Sequence, residues 1–127
     1  MRNISIQILS AMMLVTVFSA SLKPHHKDLL LEQIKNAATN MSKTNDTNGV
    51  QFIDWPKTES RCPREFFCLA EHALKATDLK NSTLTVYLET YNKHQDPKVK
   101  CPPGKTHKIR IETFLKNVTF CAGRANS

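Results

Sequence analysis

Two of the four cysteines fall in one stretch, Ser60 to Thr77, S-R-C-P-R-E-F-F-C-L-A-E-H-A-L-K-A-T. Pro63 suits a first helical turn, where its missing N–H would be unpaired anyway. Phe66, Phe67, Ala70, Ala73, Leu74 and Thr77 then recur at helical spacing and share one face at ~100° per residue. Cys68 does not join them. It lies on the opposite side with Glu71, His72 and Lys75. A cysteine on the polar face of a helix ties an outside loop to that helix better than it fills a core. The stretch therefore reads as a strut, over about residues 63–77, to which a loop is stapled.

Residues 1–21 read as a secretory leader: Arg2, an apolar run from Ile8 to Phe18, and small residues Ser19 to Ser21. The run is short for a bilayer span. The remainder, residues 22–127, forms one domain of roughly 105 residues with a modest core that disulfides would support. Behind a leader, four cysteines point to two disulfides rather than to a metal site. The formal charge of +7 falls by one without Arg2. Such a charge suits weak glycosaminoglycan binding, contact with acidic receptor surfaces, or plain surface solvation.

Three further segments have helical periodicity. Residues 25–41 place Leu30, Leu31, Ile34, Ala37, Ala38 and Met41 on one arc. Residues 83–94 place Leu84, Tyr87, Leu88 and Tyr91 on one face, with Asn81, Ser82 or Thr83 to cap them. The competing reading of T-L-T-V-Y-L is a strand, because it is rich in β-formers, but the i, i+3, i+4, i+7 match favours a helix. Residues 106–122 carry Ile111, Phe114, Leu115, Val118, Cys121 and Ala122, with Gly123 as a stop. Between them lie a turn-rich connection, Ser42 to Glu59, and a Pro-rich loop, Gln95 to Lys105. Val50 to Ile53 and Lys98 to Lys100 could each be extended. Trp55, the only tryptophan, is expected to anchor the first connection on the core.

The expected fold is all-α: a short-chain four-helix bundle with up-up-down-down topology and two short strands in its long crossovers. Four cysteines allow three pairings. A helix beginning near Pro63 would separate Cys62 from Cys68 by ~9 Å of rise, beyond the ~7 Å reach of a bridge. Two pairings stay open: Cys68–Cys101 with Cys62–Cys121, or Cys62–Cys101 with Cys68–Cys121. The polar position of Cys68 and the stripe-edge position of Cys121 favour the first.

With F-F-C-L-A-E-H-A-L, K-C-P-P and I-E-T-F-L-K-N-V, the chain resembles the interleukin-4 and interleukin-13 cytokines, in particular those of bony fish. The likeness falls on Leu30 to Lys35, Phe67-Cys68, Ala70, Leu74, Cys101-Pro102 and Ile111 to Val118. The second-helix cysteine with the C-P loop is its most specific part. The resemblance implies a Cys68–Cys101 bridge and says nothing of Cys62–Cys121. It implies a secreted type 2 signal that brings together an interleukin-4 receptor α-type chain and a second chain of common-γ or interleukin-13 receptor type. In that family the first and third helices meet the α-type chain, and an acidic residue on the first helix is central. Glu32 matches it, beside Lys35; the plain reading of Glu32 is a solvated charge weakly paired with Lys35. On the third helix only the outward character of Glu89, Asn92 and Lys93 can be cited.

Sequons stand at Asn40, Asn45, Asn81 and Asn117, with Asn45 and Asn81 in loops. The five histidines are dispersed and give no metal spacing. Lys116 to Phe120 faintly resembles a ribonuclease motif, but the helical periods and the low cysteine count argue against that enzyme class. No Ser-His-Asp set, cysteine nucleophile or carboxylate pair emerges, so no catalysis and no cofactor are expected. A membrane-active cationic protein would cluster Lys and Arg opposite an apolar face, and the first helix mixes Lys27 and Lys35 with acids. Other short-chain helical cytokines, of interleukin-2/15/21 or interleukin-5/granulocyte-macrophage type, would share the fold and differ in receptors.

Overall fold

Helical periodicity becomes helix in all four expected segments, although not over the expected bounds. The computed structural model describes residues 24–95, 100–102 and 104–126. The leader expected at residues 1–21 and the extended reading of Lys98-Val99 lie outside the described residues. In chain order the elements are α1 (Pro24–Thr44), β1 (Phe52–Pro56), α2 (Phe66–Lys75), α3 (Thr83–Lys93), β2 (Thr106–Arg110) and α4 (Ile111–Ala125).

α1 runs past Met41 to Thr44 and stops where Asn45 takes a left-handed φ of 53°, which asparagine tolerates better than most side chains. α2 is shorter than the expected 63–77. The Phe66 N–H donates to the Pro63 carbonyl at 2.9 Å, so Pro63 sits in a tight turn ahead of the helix. At the other end, the Thr77 hydroxyl donates to the Leu74 carbonyl at 2.8 Å and accepts from the Leu79 N–H at 3.0 Å. Those two bonds replace helical ones and close α2 early. Of the capping candidates for α3 it is Ser82 that serves, its Oγ accepting from the Thr85 N–H at 3.2 Å. T-L-T-V-Y-L is helical, as its period indicates.

The fourth segment departs most from expectation. Thr106–Arg110 is a strand rather than the first turn of a helix, and α4 starts at Ile111. β2 pairs antiparallel with β1, from Phe52 opposite Arg110 to Pro56 opposite Thr106. The first strand also lies later than Val50 to Ile53. Backbone pairing with a distant partner outweighs local preference over these five-residue runs. Gly123 does not stop α4, which continues through it to Ala125.

α1 packs mainly on α4 and also on α3; α2 packs on α3 and more lightly on α4; among the described residues no Cα of α1 comes within 8 Å of one in α2, nor any of α3 within 8 Å of one in α4. Thr39 meets Thr119 at 3.4 Å and Glu32 meets Asn126 at 3.4 Å, so α1 and α4 run antiparallel. Asn92 bonds Phe67 and Glu71 while Lys75 bonds Glu89, so α2 and α3 are antiparallel too. Leu31, Ile34, Ala38, Phe66, Leu74, Leu84, Leu88, Phe114, Leu115 and Val118 are buried in one shared core. Trp55 is 6% exposed and packs on Phe66 and Phe114, anchoring the first connection as expected. Among the described residues no helix is long and apolar enough to cross a membrane.

Candidate functional site

Both disulfides form in the favoured pairing. Cys68 joins Cys101 with Cα atoms 6.0 Å apart, and Cys62 joins Cys121 at 5.6 Å. One premise changes: α2 begins after Cys62 and not at Pro63, so helical rise does not by itself separate Cys62 from Cys68. Cys68 is half-buried on the outer face of α2, and its bridge staples the loop before β2 to that helix, the arrangement that its polar position suggested. Cys121 is buried at the inner edge of α4, and its bridge fixes the start of α2 against the end of α4.

His72 comes close to Cys68 and Cys101, with ligand atoms within 4.8 Å of one another. Both sulfurs belong to the disulfide, so this grouping offers no thiolate pair to a metal in the oxidised protein.

The four candidate receptor contacts occupy two separate places. Glu32 is exposed on α1, and its Oε1 accepts from the Asn126 Nδ2 of α4 at 3.4 Å. Lys35 is half-buried, and no ion pair joins it to Glu32 among the described residues. Its carbonyl accepts from the Thr39 hydroxyl one turn later. On α3, Glu89 leans toward α2, with Lys75 at 3.4 Å and Lys93 at 3.9 Å. No hydrogen bond or ion pair connects the α1 pair with the α3 pair among the described residues.

Asn92 is not outward-facing. It is half-buried, and its Nδ2 donates to the Phe67 carbonyl at 3.0 Å and to Glu71 Oε1 at 2.8 Å. The packing of α3 on α2 turns it inward, a rotation that periodicity does not specify. It completes a polar network with Glu71, Lys75 and Glu89 across that seam. Burial opposes ionisation of Glu71, but hydrogen bonds from Lys75 and Asn92, with the charges of Lys75 and His72, outweigh it and hold its carboxyl below the ordinary value. The hydrogen bond to Glu71 raises the Lys75 ammonium in turn.

The sequons separate by position. Asn40 and Asn81 are exposed and line one cleft, where the end of α1 faces the α2–α3 turn. Asn45 is exposed just after α1. Asn117 is half-buried on α4, and its Oδ1 accepts from the Arg61 Nε at 2.9 Å.

That bond belongs to a group that periodicity alone passes over. The Arg61 guanidinium lies 3.9 Å from the ring centroid of Phe120, and Arg124 lies 5.9 Å from the same ring. The spacing of Phe120 and Arg124 by one turn is visible in the sequence; the approach of Arg61 depends on the Cys62–Cys121 bridge beside it. Comparisons with protein-family models, curated proteins and solved structures find no match to this chain.

Proposed function

We propose that this chain is a secreted type 2 cytokine with an up-up-down-down bundle, acting by recruiting an interleukin-4 receptor α-type chain and a common-γ or interleukin-13 receptor-type chain. The observation that carries the reading is the ring of helix neighbours, α1 to α3 to α2 to α4 and back to α1. The α1–α4 and α2–α3 pairs are antiparallel, and the Cys62–Cys121 bridge sets the start of α2 beside the end of α4. Together these favour α1 parallel to α2 and α3 parallel to α4. Two overhand connections are then required, and the segments that cross are those holding β1 and β2, which pair with each other. The Cys68–Cys101 bridge supports the family resemblance, because it ties the second helix to the C-P loop.

In this reading Glu32 and Lys35 present α1 to the α-type chain, and Glu89 and Lys93 present α3. The experiment is surface plasmon resonance of the secreted chain on receptor ectodomains of both classes. Glu32→Lys is expected to weaken α-type binding by about thirtyfold or more, as at a central interface residue, with unchanged far-UV circular dichroism. Unchanged affinity removes Glu32 from the contact. Failure of the wild-type chain to bind either class returns the function to the other short-chain cytokines.

A further inference from the structure

We propose that Cys68, His72 and Cys101 form a zinc site whenever the two sulfurs are not joined to each other. The loop before β2 is then stapled to α2 by a disulfide in oxidising surroundings and by a metal ion in reducing ones. The inference is independent of the cytokine reading and of any receptor.

Cys68 and His72 stand one helical turn apart on α2, where side chains at i and i+4 lie on the same face. Cys101 arrives from the loop between α3 and β2, its Cα 6.0 Å from that of Cys68. The ligand atoms of all three lie within 4.8 Å of one another. Zinc bonds thiolate sulfur at about 2.3 Å and imidazole nitrogen at about 2.0 Å, which sets the ligand atoms of a tetrahedron roughly 3.5–3.8 Å apart. Once the bridge is open, rotation of each cysteine about Cα–Cβ reaches that separation with the backbone where it stands. His72 is exposed, and its ring makes no hydrogen bond or ion pair among the described residues, so no such bond has to break before it ligates. Cys101 is buried and Cys68 half-buried, so the site has a protein floor and opens to solvent on the His72 side, which gives a metal its entry path.

Two thiolates and an imidazole select zinc over calcium or magnesium, which take oxygen ligands. The Cys62–Cys121 pair gathers no third ligand within the same reach among the described residues, so the grouping is not a general property of the cysteines of this chain. The change of state involves two electrons. A phosphine reductant attacks one sulfur, the S–S bond breaks, water supplies the oxygen of the phosphine oxide, and two thiols result. Each thiol gives its proton to solvent as zinc takes its sulfur. A disulfide oxidant that rejoins the sulfurs takes the two electrons back and expels the ion.

The test uses the full chain, reduced with a phosphine and freed of it under inert gas, and Co²⁺ as a coloured stand-in for Zn²⁺. The reduced chain is expected to show sulfur-to-cobalt charge-transfer absorption, to lose it to equimolar zinc, and to keep it in excess calcium or magnesium. The oxidised chain is expected to show none. His72→Ala is expected to weaken zinc binding by about tenfold or more in competition with a chromophoric chelator, since even outer-shell changes cost that much. His107→Ala, at an exposed position in β2, is expected to stay at wild type. Zinc is expected to shield Cys68 and Cys101 from alkylation, read by peptide mass spectrometry, and to leave Cys62 and Cys121 reactive. If full reduction removes helicity, the species with Cys62–Cys121 intact and the other bridge open, isolated by limited reduction, carries the cobalt and zinc measurements. Absence of the charge-transfer band, equal zinc affinity in His72→Ala, or equal shielding of all four cysteines overturns the site. No receptor takes part, so failure here leaves the cytokine reading untouched, and a failed receptor assay leaves this site untouched.

Discussion

The rings of Trp55 and Phe114 meet at 5.4 Å between centroids and 66° between planes, joining the first crossover to the last helix. Phe66 completes the contact at 5.2 Å from Trp55. One side chain of β1 thereby locks together the starts of α2 and α4, with Ile53 buried beside it on the same face of the strand. Trp55→Ala is expected to destabilise the fold by about 3–5 kcal/mol, because a large buried ring leaves a cavity that helices cannot fill. Urea unfolding followed by far-UV circular dichroism measures it. A loss below ~1 kcal/mol would mean that the crossover is not packed as described.

The Glu71–Lys75–Asn92 network sets a pH window. The Glu71 carboxyl is lowered on folding, so its contribution is present above the ordinary carboxylate value of 4.5 and is lost as pH falls through the lowered value. Lys75 is raised, so its contribution is present below 10.5 and is lost as pH rises through the raised value. Glu71→Gln is expected to cost about 1 kcal/mol at neutral pH and to flatten the acid limb of the thermal midpoint against pH. An acid limb of unchanged steepness in the variant would assign it to other carboxylates.

The two disulfides are expected to emerge from non-reducing peptide mass spectrometry as Cys68–Cys101 and Cys62–Cys121. Paired serine substitution of either bridge is expected to lower stability by about 2–4 kcal/mol. Loss of Cys62–Cys121 should also release Arg61 from Phe120. A Cys68–Cys121 peptide would contradict the stapled-loop arrangement.

When the chain is expressed through a secretory pathway, occupancy of its sequons should follow side-chain access. Asn45 and Asn81, both exposed outside helices, are expected to be filled most. Asn117 should be filled least, since it is half-buried in α4 and its amide oxygen holds Arg61. Intact-mass and glycopeptide analysis would rank them; full occupancy at Asn117 with a partly empty Asn45 would refute the ordering.

Local sequence determined the four helices, because residues three and four apart meet within one segment and need no distant partner. Leu30, Leu31, Ile34, Ala38 and Met41 are buried as their spacing indicates, and so are Leu84, Leu88 and Tyr91. The polar position of Cys68 was legible for the same reason, and with it the bridge to Cys101. Tertiary structure decided what depends on a second segment. Thr106 to Arg110 becomes a strand because β1 supplies its hydrogen bonds from across the fold. Asn92 turns inward because α2 offers it a carbonyl and a carboxylate. Arg61 meets Phe120 because a disulfide draws the two chain segments together. Which polar side chains face outward depends on how the helices rotate as their apolar faces pack, and periodicity defines the buried stripe without deciding what lies against its margins.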